Sequence, residues 1–353
     1  MNIFPSSKKR FISSRAGVAT LAATLVAAAT AVWVESRARR AERDNPPAGK
    51  FLDIDGVRLH YVMRGEGPPI VLLHGNTVTH ADFTASGVMD RLARNHRVIA
   101  FDRPGYGFSS RPRDRFWTPA AQAALFNTAL ERLDVKKPVV VGHSMGTLIA
   151  LSMALDFPSN VSGLVLIGGY YYAGLRVDAL MTTPVALPVV GDVMRYTVTA
   201  LAARAMLKGL AKVLFSPNEV PPHFISALSR EMMVRPVQLR GNAEDAAYMI
   251  PAALSNSRRY GELKLPVTLI AGAEDAIIDK TDHSARLHGE LPQSKLHIVP
   301  GTGHMPHYTA LDLVVAAIDE QAPAITSSVS TAPVSHLVKL ESGDSHNLST
   351  AGH

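Results

Sequence analysis

The fold of this chain is decided by residues 139–151, which read VVVGHSMGTLIAL. Three β-branched residues favour a strand, and the apolar residues after Gly146 favour a helix. Between them lies the pattern G-x-S-x-G, which places Ser144 at the tip of a sharp strand-to-helix turn. In such a turn the serine hydroxyl is exposed, and the backbone N–H of Met145 points at whatever group the hydroxyl attacks. The stretch therefore predicts an α/β architecture that presents a nucleophile.

Composition limits the classes of function that fit the chain. The 353 residues are 47% hydrophobic, which is enough for one large core plus appendages. The formal charge of +6 comes from residues 1–50, which hold nine basic and three acidic residues, whereas the remainder is neutral. A basic face for nucleic acid is therefore not expected. The absence of cysteine excludes disulfides, thiolate catalysis and cysteine-based metal sites.

The N-terminal region carries a run of 19 uncharged residues, Ala16 to Val34, which is long enough for a helix to cross a bilayer. Basic residues flank the run on both sides: Lys8, Lys9, Arg10, Arg15, Arg37, Arg39, Arg40 and Arg43. We expect a single-pass membrane anchor. The alternatives are export after signal cleavage, near residues 27–31, and a buried alanine-rich helix. The two flanks are almost equally basic, so the sequence does not indicate which side of the membrane holds the domain.

Beyond this run, the chain alternates between short apolar strands and helical stretches. The charged residues from Glu35 and then Pro46-Pro47 indicate a linker up to Gly49, and Asp55-Gly56 indicates a hairpin. The predicted strands that follow are Ile70–Leu73, Val98–Phe101, Val139–Val141, Leu164–Ile167, Val267–Ala271 and Leu296–Val299. The predicted helices are Pro119–Leu133, Met145–Phe157, Lys280–His288 and Tyr308–Ile318. Such alternation predicts a mostly parallel sheet with helices on both faces.

Two further regions differ from this pattern. Residues 170–260 show helical periodicity and hold six of the twelve methionines, which indicates a helical insertion over the strand ends. Tyr170, Tyr171 and Tyr172 begin it, and they are expected either to reach a cleft or to anchor the insertion. Residues 321–353 are rich in Ser, Thr, Ala and Pro, and we expect a disordered tail.

Four motifs occur along the chain in an order that matches a known family. They are HGN at 74–76, DRPGYGFS at 102–109, the serine turn, and the pair GAED at 272–275 with GHMPH at 303–307. With them the chain resembles the α/β-hydrolases that have a serine nucleophile and a helical cap, over roughly Phe51 to Glu320. The resemblance implies a catalytic core at 50–169 and 261–320, a cap at 170–260, and an anchor or signal with its linker at 1–49.

The resemblance also implies a catalytic triad of Ser144, Asp275 and His304, in the order typical of the family. A serine hydroxyl needs a base such as His304, and the base needs an acceptor such as Asp275 to fix its tautomer. The sequence leaves competitors open for each role: His307 or His297 as the base, Glu274 or Asp279 as the acid, and a purely structural role for Ser144. The family pattern places the oxyanion donors at the backbone N–H groups of Asn76 and Met145.

The expected activity is hydrolysis of small apolar carboxylic esters, without a metal or an organic cofactor. A serine at position 144 argues against family members that use an aspartate nucleophile. Carbon–carbon bond hydrolysis is an alternative, although residues 76–79 lack the glycines usual in that branch. A non-catalytic ligand-binding protein is a second alternative. Asp102 and Arg103 are candidates for substrate contact, and methionines of the cap for the pocket lining: Met181, Met194, Met206, Met232, Met233 and Met249. The oligomeric state is not indicated.

Overall fold

The structure is a computed structural model, and it describes residues 12–174 and 177–322. The tail expected at 321–353 therefore lies, apart from its first two residues, outside the described residues.

An eight-stranded sheet forms the centre of the protein. Its strands are β1 Lys50–Ile54, β2 Val57–Arg64, β3 Pro69–Leu73, β4 Arg97–Phe101, β5 Val139–His143, β6 Gly163–Ile167, β7 Val267–Gly272 and β8 Ser294–Val299. Their order is β1-β2-β4-β3-β5-β6-β7-β8, with β2 antiparallel to its neighbours and all other pairs parallel. The predicted mostly parallel sheet and the predicted hairpin at Asp55-Gly56 are confirmed.

Fourteen α-helices accompany the sheet in the described part of the chain. They are α1 Ile12–Asp44, α2 Ala81–Ala85, α3 Val88–Leu92, α4 Pro119–Arg132, α5 Met145–Asp156, α6 Val177–Ala186, α7 Val190–Tyr196, α8 Val198–Phe215, α9 Pro222–Leu228, α10 Arg230–Met233, α11 Pro236–Ser257, α12 Arg286–Glu290, α13 Pro306–Thr309 and α14 Leu311–Gln321. Six of them, α6 to α11, lie between β6 and β7, and we call them the helical insertion.

Two predicted helices differ from the observed ones. The helix expected at Lys280–His288 starts as a π-helical turn, Thr281–Ala285, before α12. The helix expected at Tyr308–Ile318 is divided at Ala310, whose φ of −132° and ψ of 46° leave the helical region. The division has a structural reason, because α13 directs two side chains at buried Asp82 while α14 turns to pack on the sheet.

Apolar layers cover both faces of the sheet. One layer joins α4 and α5 to the sheet through residues such as Phe126 and Ile149, and the other joins α3 and α14 through residues such as Leu92 and Ile318. The central strand β5 is buried along its whole length for this reason. Burial of such side chains stabilises the fold by about 25 cal/mol per Å² of apolar surface.

Helix α1 corrects the expected linker. The sequence suggests that the chain leaves the helix at Glu35, but α1 continues to Asp44, so the irregular connection shortens to residues 45–49. Ala38 and Ala41 are buried on that continuation, and Val34, just before it, is buried against residues of the helical insertion. Packing of this apolar stripe stabilises the last turns of α1 as a helix. The charged residues between the apolar ones do not indicate a helix in the sequence.

The glycine at the end of the serine turn is required by a close approach of two backbones. A Cβ atom at Gly146 would lie 2.1 Å from the carbonyl oxygen of Leu73, at the end of β3. By contrast, a Cβ atom at Gly209, inside α8, would meet no atom within 4 Å.

We therefore expect opposite results from two alanine substitutions. Gly146→Ala should lower the free energy of unfolding by about 1–3 kcal/mol, because backbone must move to admit the methyl group. Gly209→Ala should raise it by about 0.5–1 kcal/mol, because alanine favours the helix. Urea unfolding followed by circular dichroism measures both values. Equal stability of the two variants would contradict the close packing of β3 against α5.

Candidate active site

The three predicted triad residues lie beyond the carboxyl ends of neighbouring parallel strands. Ser144 follows β5, Asp275 follows β7 and His304 follows β8. Because β5 to β8 are consecutive in the sheet, their carboxyl ends meet at one edge, where ligand sites of open α/β sheets are found.

Ser144 is held in a strained backbone conformation. Its φ of 51° and ψ of −117° are rare for a residue with a side chain, and such a conformation costs on the order of 1–3 kcal/mol. The surroundings enforce it, since the Ser144 N–H donates to the carbonyl of Ile167 over 2.9 Å and the Ser144 carbonyl accepts from Thr147. The side chain is partly exposed, as a nucleophile requires.

Asp275 and His304 form a hydrogen-bonded pair. His304 Nδ1 lies 2.7 Å from Asp275 Oδ2, and both side chains are almost wholly buried. The other carboxylate oxygen accepts the N–H groups of Ile277 and Ile278 over 2.8 and 3.0 Å. Burial acts to raise the pKa of Asp275, but the contacts with His304 and the two N–H groups outweigh it and hold the pKa below its usual value. An ionised Asp275 can thus fix the tautomer of His304 and stabilise its imidazolium form.

Three of the four competitors for the base and the acid have other partners. His307 is buried and bonds Asp82 over 2.9 Å, and His297 lies within β8. Glu274 accepts the N–H of Thr302, and the exposed Asp279 accepts two N–H groups at the start of the π-helical turn. The geometry therefore favours His304 and Asp275 over the four other residues.

The segment after β3 runs directly beside Ser144. A Cβ atom at Gly75 would lie 3.2 Å from the Cβ atom of Ser144. Within the described residues, neither the N–H of Asn76 nor that of Met145 donates a hydrogen bond, so both donors are available to an oxyanion. Met145 begins α5, whose first N–H groups have no partner inside the helix.

The Asn76 side chain points into the protein. Its oxygen accepts hydrogen bonds from Arg103 and Tyr106 over 2.8 and 3.0 Å. His74 braces the same segment, because its Nε2 accepts the N–H of Arg103 over 3.0 Å. Burial lowers the pKa of His74 to about 3, and the neutral ring that results is the form that can accept. The segment after β3 is thus fixed by its side chains, while the N–H of Asn76 is left without a partner among the described residues.

A buried charge network connects this segment to the helical insertion. Asp245 of α11 pairs with Arg103, and with Arg111 over 2.9 Å, and all three side chains are fully buried. Tyr106 and Gln122 donate to the same carboxylate. Burial acts to raise the pKa of Asp245, but the two guanidinium groups hold it below its usual value. Arg103 and Asp102, considered above for substrate contact, are both fully buried in such networks.

The insertion packs over the site from two sides. On one side, Phe215 of α8 clusters with Met305 and Val78, the neighbours of the base and of the oxyanion segment, and the His304 N–H donates to the carbonyl of Leu214 over 2.9 Å. On the other side, Met249 of α11 packs against Met145.

The structure gives positions for the tyrosines and methionines whose orientation the sequence does not indicate. Tyr170, Tyr171 and Tyr172 are buried and anchor the insertion, with the ring of His283 packed among them. Of the candidate pocket methionines, Met249 lies at the site, whereas Met206 points to the outside with 69% of its surface exposed. The side chain of Met181 lies outside the described residues.

Among the residues that the structure describes, two largely buried clusters have the residue types of metal sites: His60, His80 and Asp102, and Asp82, His143 and His307. In each, direct hydrogen bonds join imidazole to carboxylate, at 2.8 Å for both histidines on Asp102 and 2.9 Å for His307 on Asp82. These bonds satisfy the carboxylates without a cation. The second cluster lies behind the base, since His143 Nε2 is 3.1 Å from the carbonyl oxygen of His304.

Sequence reasoning missed Asp82 and Asp245, which hold these parts in place. Asp245 and Arg103 are separated by 142 positions. No sequence motif contains both residues, so no motif predicts that they pair. Their pairing follows only from the placement of α11 over the strand ends.

Comparisons with known proteins agree with the fold. The sequence model of a family described as the alpha/beta hydrolase fold matches residues 68–205. An uncharacterised protein of Mycobacterium tuberculosis is 29% identical over 300 residues, which cover 79% of this chain and 83% of that protein. A 2-hydroxy-6-oxononadienedioate/2-hydroxy-6-oxononatrienedioate hydrolase of Comamonas testosteroni is 24% identical and covers 77% and 95% of the two chains. The structure of an esterase from Exiguobacterium antarcticum superposes with a TM-score of 0.60 at 21% identity, over 77% of this chain and 99% of that one.

The two aspartates at the end of β7 offer a matched test of the acid. Asp275→Asn should lower kcat for ester hydrolysis by roughly 10⁴-fold, because the amide favours the wrong tautomer of His304. Asp279→Asn should leave kcat close to that of the wild type, because its exposed carboxylate accepts two backbone N–H groups at the protein surface. Steady-state kinetics with circular dichroism as the folding control measures both, and a larger loss at Asp279 would overturn the assignment.

Proposed function

Because the chain belongs to the α/β-hydrolase family, we propose that it is a serine hydrolase that cleaves apolar carboxylic esters through an acyl-enzyme on Ser144. The observation that carries the proposal is the 2.7 Å hydrogen bond between His304 and Asp275, at the edge of the sheet where Ser144 is held on a strained turn. The helical insertion would serve as the cap that shapes the substrate pocket.

In the proposed reaction, His304 removes the hydroxyl proton as Ser144 Oγ attacks the carbonyl carbon of the ester. The oxyanion of the tetrahedral intermediate accepts hydrogen bonds from the N–H groups of Asn76 and Met145. His304 then gives the proton to the leaving alkoxide, and the alcohol departs. Water, deprotonated by His304, attacks the acyl-enzyme, releases the carboxylic acid and restores the serine.

The surroundings of the nucleophile support an apolar substrate. Met145, Leu148, Tyr170, Met249 and Ile278 form one apolar cluster between the serine turn, α11 and the segment after β7. Met249 is flexible, which suits a pocket that accepts acyl chains of different shape. The nearest arginines in the network, Arg103 and Arg111, already have their charges neutralised by acidic partners.

Carbon–carbon bond hydrolysis is the second candidate, because relatives such as the Comamonas enzyme are named for it. The substrates named there are acids and carry a negative charge. Neutralised arginines and an oxyanion segment without extra glycines favour neutral esters over such anions.

We further propose that α1 anchors the protein in a membrane. Residues 16–44 form one helix with a mean hydropathy of 1.9 over its apolar window, and only 6% of that window is buried. Large apolar side chains such as Leu21 and Leu25 are exposed on it. Export with signal cleavage near residues 27–31 remains the competing fate, and it would leave Val34, Ala38 and Ala41 in their packed places.

A series of p-nitrophenyl esters of increasing acyl length tests the activity. Turnover should peak at one chain length, and Ser144→Ala should lower kcat by roughly 10⁴-fold or more. Ser159, an exposed serine in the 3₁₀ turn Pro158–Asn160, provides the control, and Ser159→Ala should leave kcat unchanged.

Three results would contradict the ester proposal. Wild-type turnover by Ser144→Ala would remove the serine from the mechanism. Folded protein that cleaves 2-hydroxy-6-oxo-dienoates but no ester would favour carbon–carbon hydrolysis. Folded protein that cleaves neither substrate would indicate a non-catalytic ligand-binding role.

Alkaline carbonate extraction of membranes tests the anchor. The full chain should stay in the pellet, and N-terminal sequencing should read a start ahead of Ala16. Leu21→Arg combined with Leu25→Arg should move the protein to the supernatant, because each arginine near the centre of a bilayer-spanning helix costs about 2.5–3.5 kcal/mol. A mature N-terminus between residues 28 and 32 would contradict the anchor.

A further inference from the structure

The outer surface of the helical insertion is unusually apolar for a face in contact with water. Nine large apolar side chains between residues 187 and 213 are exposed: Leu187, Val189, Val190, Val193, Val198, Leu201, Met206, Leu210 and Val213. We call this set the outer face. All but three of the remaining large exposed apolar side chains of the described chain lie on α1. Contiguous patches of this kind mark interaction sites.

The outer face is joined directly to the proposed membrane helix. Trp33 of α1 lies under the guanidinium group of Arg204, 5.1 Å from the ring centroid, and Val34 packs against Ala200 of α8. Glu42 pairs with Arg235 and Arg37 with Glu231, so α1 is also fixed to the insertion by charge. The exposed apolar part of α1 thus begins where it leaves α8, and the two surfaces are continuous.

The charges around the outer face favour an anionic surface. No acidic residue occurs between Asp192 and Glu219, whereas the same segment holds four basic residues, among them Lys208 and Lys212. At 3.6 residues per turn these two lysines lie along one edge of the apolar stripe of α8. Long lysine side chains there can bury their stems and reach phosphate groups with the ammonium.

We propose that the outer face docks on the lipid bilayer that holds α1, with its apolar side chains in the headgroup and acyl boundary. The proposal rests on the anchor included in the proposed function. A bilayer is favoured over a second copy or another protein because the face continues a helix long enough to cross the membrane and because the charged residues of α8 are all basic.

Docking in this way would deliver substrate from the membrane. The opposite side of α8 carries Leu207, Ala211 and Phe215, which pack against Met305 and Val78 beside the catalytic residues. One helix therefore separates the docking surface from the site. The substrate class that fits this arrangement is a long-chain ester dissolved in the bilayer, which reaches Ser144 past α8 without a passage through water.

The absence of cysteine makes a direct test simple. Full-length chains with one cysteine each, Met206→Cys, Leu25→Cys and Lys136→Cys, are labelled with a nitrobenzoxadiazole fluorophore. They are reconstituted in vesicles of phosphatidylcholine and phosphatidylglycerol, with or without nitroxide groups on the acyl chains. Lys136 is the control, since it is exposed and precedes β5 at the edge of the sheet opposite the site.

The labels at positions 25 and 206 should lose about half or more of their emission to the acyl-chain nitroxides, and the label at 136 should lose almost none. Quenching at 25 without quenching at 206 would overturn docking while the anchor stands. Loss of quenching at both would overturn docking together with the anchor. Hydrolysis of a short ester in detergent by the same samples reports separately on the serine site.

A second measurement addresses delivery of substrate. Leu210→Glu should lower turnover of a long-chain ester in vesicles severalfold and leave turnover of a short soluble ester unchanged. Leu254→Glu, an exposed leucine on α11 outside the outer face, should change neither. Equal vesicle turnover by both variants would overturn delivery through the bilayer, and an equal loss on both esters would show that the face serves folding instead.

Discussion

The arrangement of the site depends on one buried carboxylate. Asp245 lies in α11, and its oxygens meet the guanidinium groups of Arg103 and Arg111, which belong to the segment after β4. Removal of one partner from such a buried group typically costs 3–5 kcal/mol, because charge is left unpaired in an apolar interior. Tyr106 and Gln122 satisfy further lone pairs of the carboxylate. The same contact therefore fixes the insertion over the sheet and, through Arg103 and Asn76, the segment beside the nucleophile.

Two other buried aspartates hold neighbouring segments in a similar way. Asp102 accepts hydrogen bonds from His60 and His80, and Asp82 from His307 and Tyr308. In all three aspartates burial acts to raise the pKa, and the partners outweigh it and lower the pKa. Their stabilising contribution is therefore complete above the usual carboxylate pKa and is lost as the pH falls through the lowered values. His304 and Ser144 are thus surrounded by segments that are held by groups ionised at neutral pH.

Local signals in the sequence account for the sheet and for the meeting of His304 with Asp275. The parallel strands β3 to β7 are mainly apolar runs, and the order of the motifs places the motif side chains at one edge of the sheet. The features that the sequence did not predict depend on contacts between distant segments. The last turns of α1 are held by a stripe that contacts the insertion, and the break at Ala310 serves contacts to Asp82. No window of sequence contains both partners of such contacts, so periodicity alone does not predict them.

The uninterrupted course of α1 has a consequence for how this part of the chain tolerates change in length. Linkers usually accept insertions, but a continuous helix couples its two ends in rotation. One residue added between Trp33 and Val34 would turn the apolar stretch by about 100° and shift it by about 1.5 Å relative to Val34, Ala38 and Ala41. The number of residues in α1 is consequently as constrained as their identity. It sets the direction in which the apolar part of the helix leaves the domain.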